Sequence, residues 1–139
     1  MLLMPRKVKY RKSQKGKNRG LAVTGYRLHF GEFGLKTLEN GLIKANILEA
    51  CRVAVARKTK GAGKFWVNVF PHKSVTKKPA ETRMGKGKGD LSHWVAAVKR
   101  GRVVFEMSGV PEDFARLIFR YISFKLPVRT KFVTRLTDA

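Results

Sequence analysis

Two glycine-lysine segments are the first places in this chain where chemistry could sit. Gly61-Ala62-Gly63-Lys64 ends in the Gly-Lys pair of a phosphate-binding loop. Phe65 stands where that loop needs a Ser or Thr for magnesium, and Lys58 stands where its first glycine should be. Gly85-x-Gly87-x-Gly89 suggests a dinucleotide fingerprint, but its spacing is wrong, no buried strand feeds it and no periodic helix follows. Cys51 falls on the apolar stripe of a helical pattern, where a cysteine acts as a small hydrophobe more often than as a nucleophile. His29, His72 and His93 are scattered, and no carboxylate pair stands out, so neither a metal cluster nor a general acid-base pair is expected. The sequence shows no active site.

Arg83-Met84-Gly85-Lys86-Gly87-Lys88-Gly89 is more informative. Glycine lets the backbone approach a phosphate closely, lysine supplies point charges, and arginine can grip phosphate with two donors. Alternation of the two makes a thin cationic finger. The same residues would also suit a plain flexible hairpin tip with solvated lysines. Trp94, just beyond, is either a base-stacking ring or a core residue at a strand start.

Charge supports the first reading of the finger. The 139 residues include 31 Lys+Arg and 9 Asp+Glu, a formal net charge of +22. With 43% hydrophobic residues the chain can still build a core, so it is not merely a basic tail. One cysteine excludes an internal disulfide, and no apolar run reaches the ~18 residues of a membrane span. The charge is sided. Residues 1–22 form a basic arm with Arg6, Lys7, Lys9, Arg11, Lys12, Lys15, Lys17 and Arg19, and the first acid is Glu32. The arm is Lys-rich with a single Ser and no apolar stripe, unlike an import presequence, and is expected to be extended and mobile until it meets RNA. A second block holds Arg57, Lys58, Lys77, Lys78, Arg83, Lys86 and Lys88; a third, near the C-terminus, includes Arg129 and Lys131. Such siding is the footprint of a polyanion-binding surface, and these are the residues expected to bind nucleic acid. The lysines lack an amphipathic apolar face, which argues against a membrane surface.

The elements that must position these residues read as follows. Residues 26–38 suggest one or two short strands with a turn or bulge at Gly31 and Gly34. Ile43, Ile47, Leu48, Cys51, Ala54 and Val55 recur at helical spacing and predict a helix over 44–59, stopped by Gly61 and Gly63. KFWVNVF (64–70) is a strand ended by Pro71, and 75–79 is a further short strand. A Gly-rich loop covers 84–93, within a mobile segment 79–93. WVAAVK (94–99) and VVFEM (103–107) read as a β-hairpin about Arg100-Gly101-Arg102. Pro111, Glu112 and Asp113 open a second helix with Phe114, Leu117, Ile118, Tyr121 and Ile122 as its apolar stripe, and VRTKFVTRL (128–136) is a last strand. The sum is one α+β domain over 23–139, a mainly antiparallel sheet with two helices.

The chain also resembles a known family over almost its whole length. PRKVKYRKSQKGKNRGLA, FGEFGLKTLE, the run from Gly63 to Gly89, HWVAAVKRGRVVFEMSGVPE and KLPVRTKFVTR match, in order, the bacterial-type L-sixteen/L-ten-e family of large-subunit ribosomal proteins. The match includes the signature from Arg83 to Gly89 with Trp94, and the Gly-Lys-aromatic-Trp-Val-x-Val-Phe-Pro region from Gly63 to Pro71. The first helix departs from the usual Thr-Ala/Ser-Arg-Gln-Ile-Glu-Ala opening: here it reads Lys44-Ala45-Asn46-Ile47-Leu48-Glu49-Ala50. The second is bulkier, with Phe119, Tyr121 and Phe124 where alanines are frequent.

The resemblance implies a hammerhead-type α+β fold and a structural, non-enzymatic part in the large ribosomal subunit, without cofactor or metal. It implies binding to large-subunit rRNA beside the central protuberance and near the peptidyl-transferase centre. It also implies a share in shaping the A site, contact with A-site tRNA, room for a P-site contact, and entry late in subunit assembly. Arg83, Lys86 and Lys88 would lie on a finger toward tRNA; in some relatives the arginine matching Arg83 is hydroxylated. Neighbouring ribosomal proteins are expected partners, and self-association is not expected. Because the match begins within the first residues, a bacterial cytosolic ribosome is expected, with an organelle-encoded one as the alternative. A free-standing regulator of nucleic acid and a small basic nuclease remain as competing readings; the first lacks a helix-turn-helix or RNP motif, the second the clustered ligands of a metal site.

Overall fold

A computed structural model describes residues 3–78 and 87–136. Its elements run β1 (Phe33–Thr37), β2 (Gly41–Lys44), α1 (Ala45–Thr59), β3 (Lys64–Val67), β4 (Lys73–Lys77), β5 (Asp90–Val98), β6 (Val103–Ser108), α2 (Glu112–Ser123) and β7 (Thr130–Thr134). They form two sheets, of order β3-β6-β1-β7 and β2-β5-β4. Every strand pair is antiparallel, and with two helices the fold is α+β. The β1–β6 ladder shifts register between Leu35 and Lys36, with Val104 of β6 as the extra residue, and not at Gly31 or Gly34 as anticipated.

The expected hairpin of WVAAVK and VVFEM does not form, because β5 and β6 belong to different sheets. The physical reason is edge availability. β5 is paired on one side by β2 and on the other by β4, and β6 is likewise held between β1 and β3. No ladder edge is left for them to share. Their burial agrees: Trp94, Val95, Ala96 and Val98, and all of Val103–Met107, are buried, as in interior strands covered on both faces. The turn between them is closed by Thr37 instead. Thr37 Oγ1 donates to the Lys99 carbonyl at 3.0 Å and accepts from the Arg102 amide at 3.2 Å. The Gly101 amide donates to the Thr37 carbonyl at 2.9 Å. One buried hydroxyl thus ties together two of the places where the chain crosses between sheets, β1 to β2 and β5 to β6.

The hairpin that does form is β4–β5, with register running from Lys73↔Val95 to Lys77↔Asp90. Asp90–His93, expected as loop, therefore belong to β5. Asp, Ser and His are poor strand formers, but pairing to β4 overrides their propensity. Gly87, Lys88 and Gly89, the described end of the Gly-Lys segment, lead into β5. β3 stops at Val67, before the expected end at 70, where Asn68 turns its side chain to Glu106.

The helices cover the core. α1 buries Leu48, Cys51 and Val55 and packs on β2, β5, β3 and α2. α2 packs on β1 and β7 but buries Ala115, Ile118, Phe119 and Ile122. Phe114, Leu117 and Tyr121 of the expected stripe are exposed. Both 115/118/119/122 and 114/117/121/124 follow helical spacing, and both are largely apolar, so periodicity alone does not choose between them. Cys51 is fully enclosed, and burial pushes its thiol up to about 11. Alkylation of the folded protein at pH 8 is therefore expected to be on the order of a hundredfold slower than that of a free thiol, since the thiolate is the reactive form. Measured iodoacetamide kinetics should return to the free-thiol rate in denaturant.

Candidate nucleic-acid interface

Asn18 fixes the basic arm to the second sheet. Its Nδ2 donates to the carbonyls of Gly41 and Val98, at 3.0 and 2.9 Å. Asn40 Nδ2 returns a bond to the Asn18 carbonyl at 3.1 Å, and the Ala22 amide donates to Arg100 O at 2.9 Å. Ser13 Oγ meets Ser74 Oγ at 3.4 Å. Two lysines then reach the arm's backbone: Lys73 Nζ donates to the Lys15 carbonyl and Lys88 Nζ to the Ser13 carbonyl. The arm thus runs as irregular chain along β2, β5 and β4, while Arg6, Lys7, Lys9, Arg11, Lys12, Lys15, Lys17 and Arg19 stay exposed.

This arrangement gathers charge. The arm from Ser13 to Asn18, Lys73 of β4 and Lys88 at the foot of the finger meet there. Lys77 is exposed and Lys78, just after β4, is half-buried. His93, across from Val75, is held below the usual imidazole range by burial and then by Lys44 and Lys77. Arg83 and Lys86 lie outside the described residues.

The other expected contacts fall elsewhere. Arg57 and Lys58 close the last turn of α1, where cations suit the negative helix end. Lys58 Nζ lies 4.2 Å from the centre of the Tyr121 ring and Lys125 Nζ 5.2 Å from it. Arg129 and Lys131 lie at the outer strand of the first sheet, where Arg129 is partly engaged by Glu39 at 3.6 Å. Several acids are likewise turned inward to the protein's own groups: Glu49 accepts from Arg52 Nε at 2.9 Å, and this bond holds its carboxyl below the usual range. Glu112 takes Arg116 at 3.0 Å. Each such pair uses one cation for one acid, and the excess of 31 Lys+Arg over 9 Asp+Glu keeps the surface strongly positive.

The rejected catalytic readings can be checked on geometry. Gly63 leads into a strand and lies against Ser108, where an added Cβ would meet the carbonyl oxygen at 2.4 Å. That glycine serves close packing; a P-loop opens a helix. Among the described residues no group of three His, Cys, Asp or Glu is placed to hold a metal, and no helix is long and apolar enough to cross a membrane. Trp94 is buried in β5.

Sequence reasoning missed Glu106. It is completely buried, and its Oε1 accepts from the amides of His29, Phe30 and Gly31 at 2.8, 2.9 and 3.1 Å. Oε2 accepts from Asn68 Nδ2, whose own carbonyl accepts from Arg102 at 3.1 Å. The signal available was one acid inside an otherwise apolar strand run.

Comparison with known proteins shows the family. The family model described as ribosomal protein L16p/L10e matches residues 5–133. The large ribosomal subunit protein uL16 of Sulfurihydrogenibium sp. (strain YO3AOP1) is 54% identical over 132 residues, covering 95% of this chain and 96% of that protein. With its basic arm, its lysine-bearing hairpin and a match spanning nearly all of its length, this chain belongs to the ribosomal protein L16p/L10e family.

Proposed function

We propose that the chain is a structural, non-catalytic constituent of the large ribosomal subunit, in a bacterial-type cytoplasmic ribosome. It binds large-subunit rRNA beside the peptidyl-transferase centre and the central protuberance, among neighbouring ribosomal proteins. The observation that carries this is the junction of arm, β4 and finger base, where Lys73 and Lys88 reach the arm's backbone at Lys15 and Ser13. Closely spaced lysines of one sign repel each other, and a folded RNA's phosphates relieve that repulsion. The arm 1–22 and the loop 79–93 then act as two extensions of a domain over 23–139, bridging RNA helices recognised by backbone and shape. In this reading the protein joins late in assembly.

The Gly-Lys finger, which lies between β4 and β5 in sequence, contacts tRNA at the A site in this reading, with the P site as a second neighbour. Replacing Lys86 and Lys88 together with Gln is expected to leave the fold intact and to weaken A-site tRNA binding several-fold in ribosomes carrying the variant. Filter binding of aminoacyl-tRNA measures this; wild-type binding in such ribosomes would refute the finger's role.

A further inference from the structure

We propose that the Phe30 ring is a stacking platform for one unpaired base of ribosomal RNA, an inference that rests on the RNA-bound reading above. Phe30 is 60% exposed, an unusual position for a large aromatic side chain. One face of its ring lies on Trp66, with centroids 5.9 Å apart and planes 23° from parallel. His29 meets it edge-on at 6.4 Å. One face is therefore covered by protein and the other is presented outward.

The loop beneath the ring is pinned from both sides. Glu106 takes the three consecutive amides of His29, Phe30 and Gly31. Arg135 Nε donates to the Gly31 carbonyl at 3.0 Å, and its Nη2 lies 3.5 Å from the His29 carbonyl. Gly31 sits so close to Met107 that an added Cβ would meet backbone at 2.6 Å. A buried carboxylate is a costly device. Spent on an exposed loop, it holds a ring whose free face loses little further entropy on binding.

The surroundings favour a nucleotide over a protein partner. Arg135 lies against the loop, and Arg27 sits 5.3 Å over the exposed Tyr26 ring. Glu32 is the one acid in the first 38 residues. Aromatic faces beside arginines are how single-stranded RNA is gripped, whereas an apolar docking site would want an apolar rim.

The test uses the full chain assembled into large subunits that lack it. With p-benzoylphenylalanine in place of Phe30, irradiation should crosslink the protein to an unpaired rRNA nucleotide. In subunits carrying Phe30→Leu at full occupancy, that nucleotide should become about tenfold more reactive to a base-specific chemical probe, and Phe30→Trp should restore protection. A crosslink to a ribosomal protein alone, no crosslink, or unchanged reactivity in the Leu variant would overturn the platform. Failure of the wild-type chain to enter the subunit would instead overturn the reading on which it rests.

Discussion

Glu106→Ala is expected to destabilise the protein by about 3–5 kcal/mol, seen as a fall of roughly 10–20 °C in the thermal midpoint. The side chain is wholly buried and satisfies four donors: the amides of His29, Phe30 and Gly31, and the Asn68 side chain. Removing it leaves those donors facing an apolar cavity between β3, β6 and the 28–31 loop. Each buried, unmatched polar group costs about 1–3 kcal/mol. Glu106→Gln separates charge from hydrogen bonding. Its remaining oxygen still serves the three amides, and Asn68 can turn its own amide to accept from the new NH2. The Gln variant should therefore lose well under half of what the Ala variant loses. Equal losses in the two variants, measured by circular dichroism melts, would mean that the charge itself, and not the satisfied amides, holds the loop.

Neutralising Lys15, Lys73, Lys77 and Lys88 together with Gln should weaken binding to the large subunit by about 100-fold or more at moderate salt, with little change in melting. Each phosphate contact releases counterions, so each lost contact lowers both the affinity and its salt slope, the slope by about 0.7–0.9. Lys73 and Lys88 also hold carbonyls of the arm. Their loss thus frees the arm from β4 and adds the entropy of ordering it to the cost of binding. Neutralising Arg116, Arg120, Lys125 and Lys131 instead, all exposed and away from the arm, would lack this second effect.

Much of the framework was legible in the residues. α1 follows from the spacing of Leu48, Cys51 and Val55, and β7 from the alternation about Phe132 and Val133. What was not legible depends on the whole molecule. Val103–Met107 has the composition of a strand, but which edge it meets is settled by β1 and β3, which lie far away in sequence. α2 offers two apolar stripes, and only the placement of β1 and β7 decides that Phe119 goes in and Leu117 stays out. The basic residues announced a polyanion partner through composition alone. Their gathering could not be read, because it rests on Asn18 and on lysine-to-carbonyl bonds, which follow no periodic pattern. Glu106 was visible as an acid in an apolar run, but its role needs three amides from a loop some 75 residues earlier.

Clustered cations, in the function proposed above, hold this chain in the large ribosomal subunit. Co-sedimentation of the full chain with large subunits lacking it, over a range of salt, tests this most directly. Stoichiometric binding to the large and not the small subunit is the expected result. An affinity falling about a thousandfold or more between about 50 and about 200 mM salt is expected too, with a slope shallower by about 3 in the four-lysine variant. A chain that stays in the supernatant, or binds with an affinity indifferent to salt and to those lysines, would contradict it.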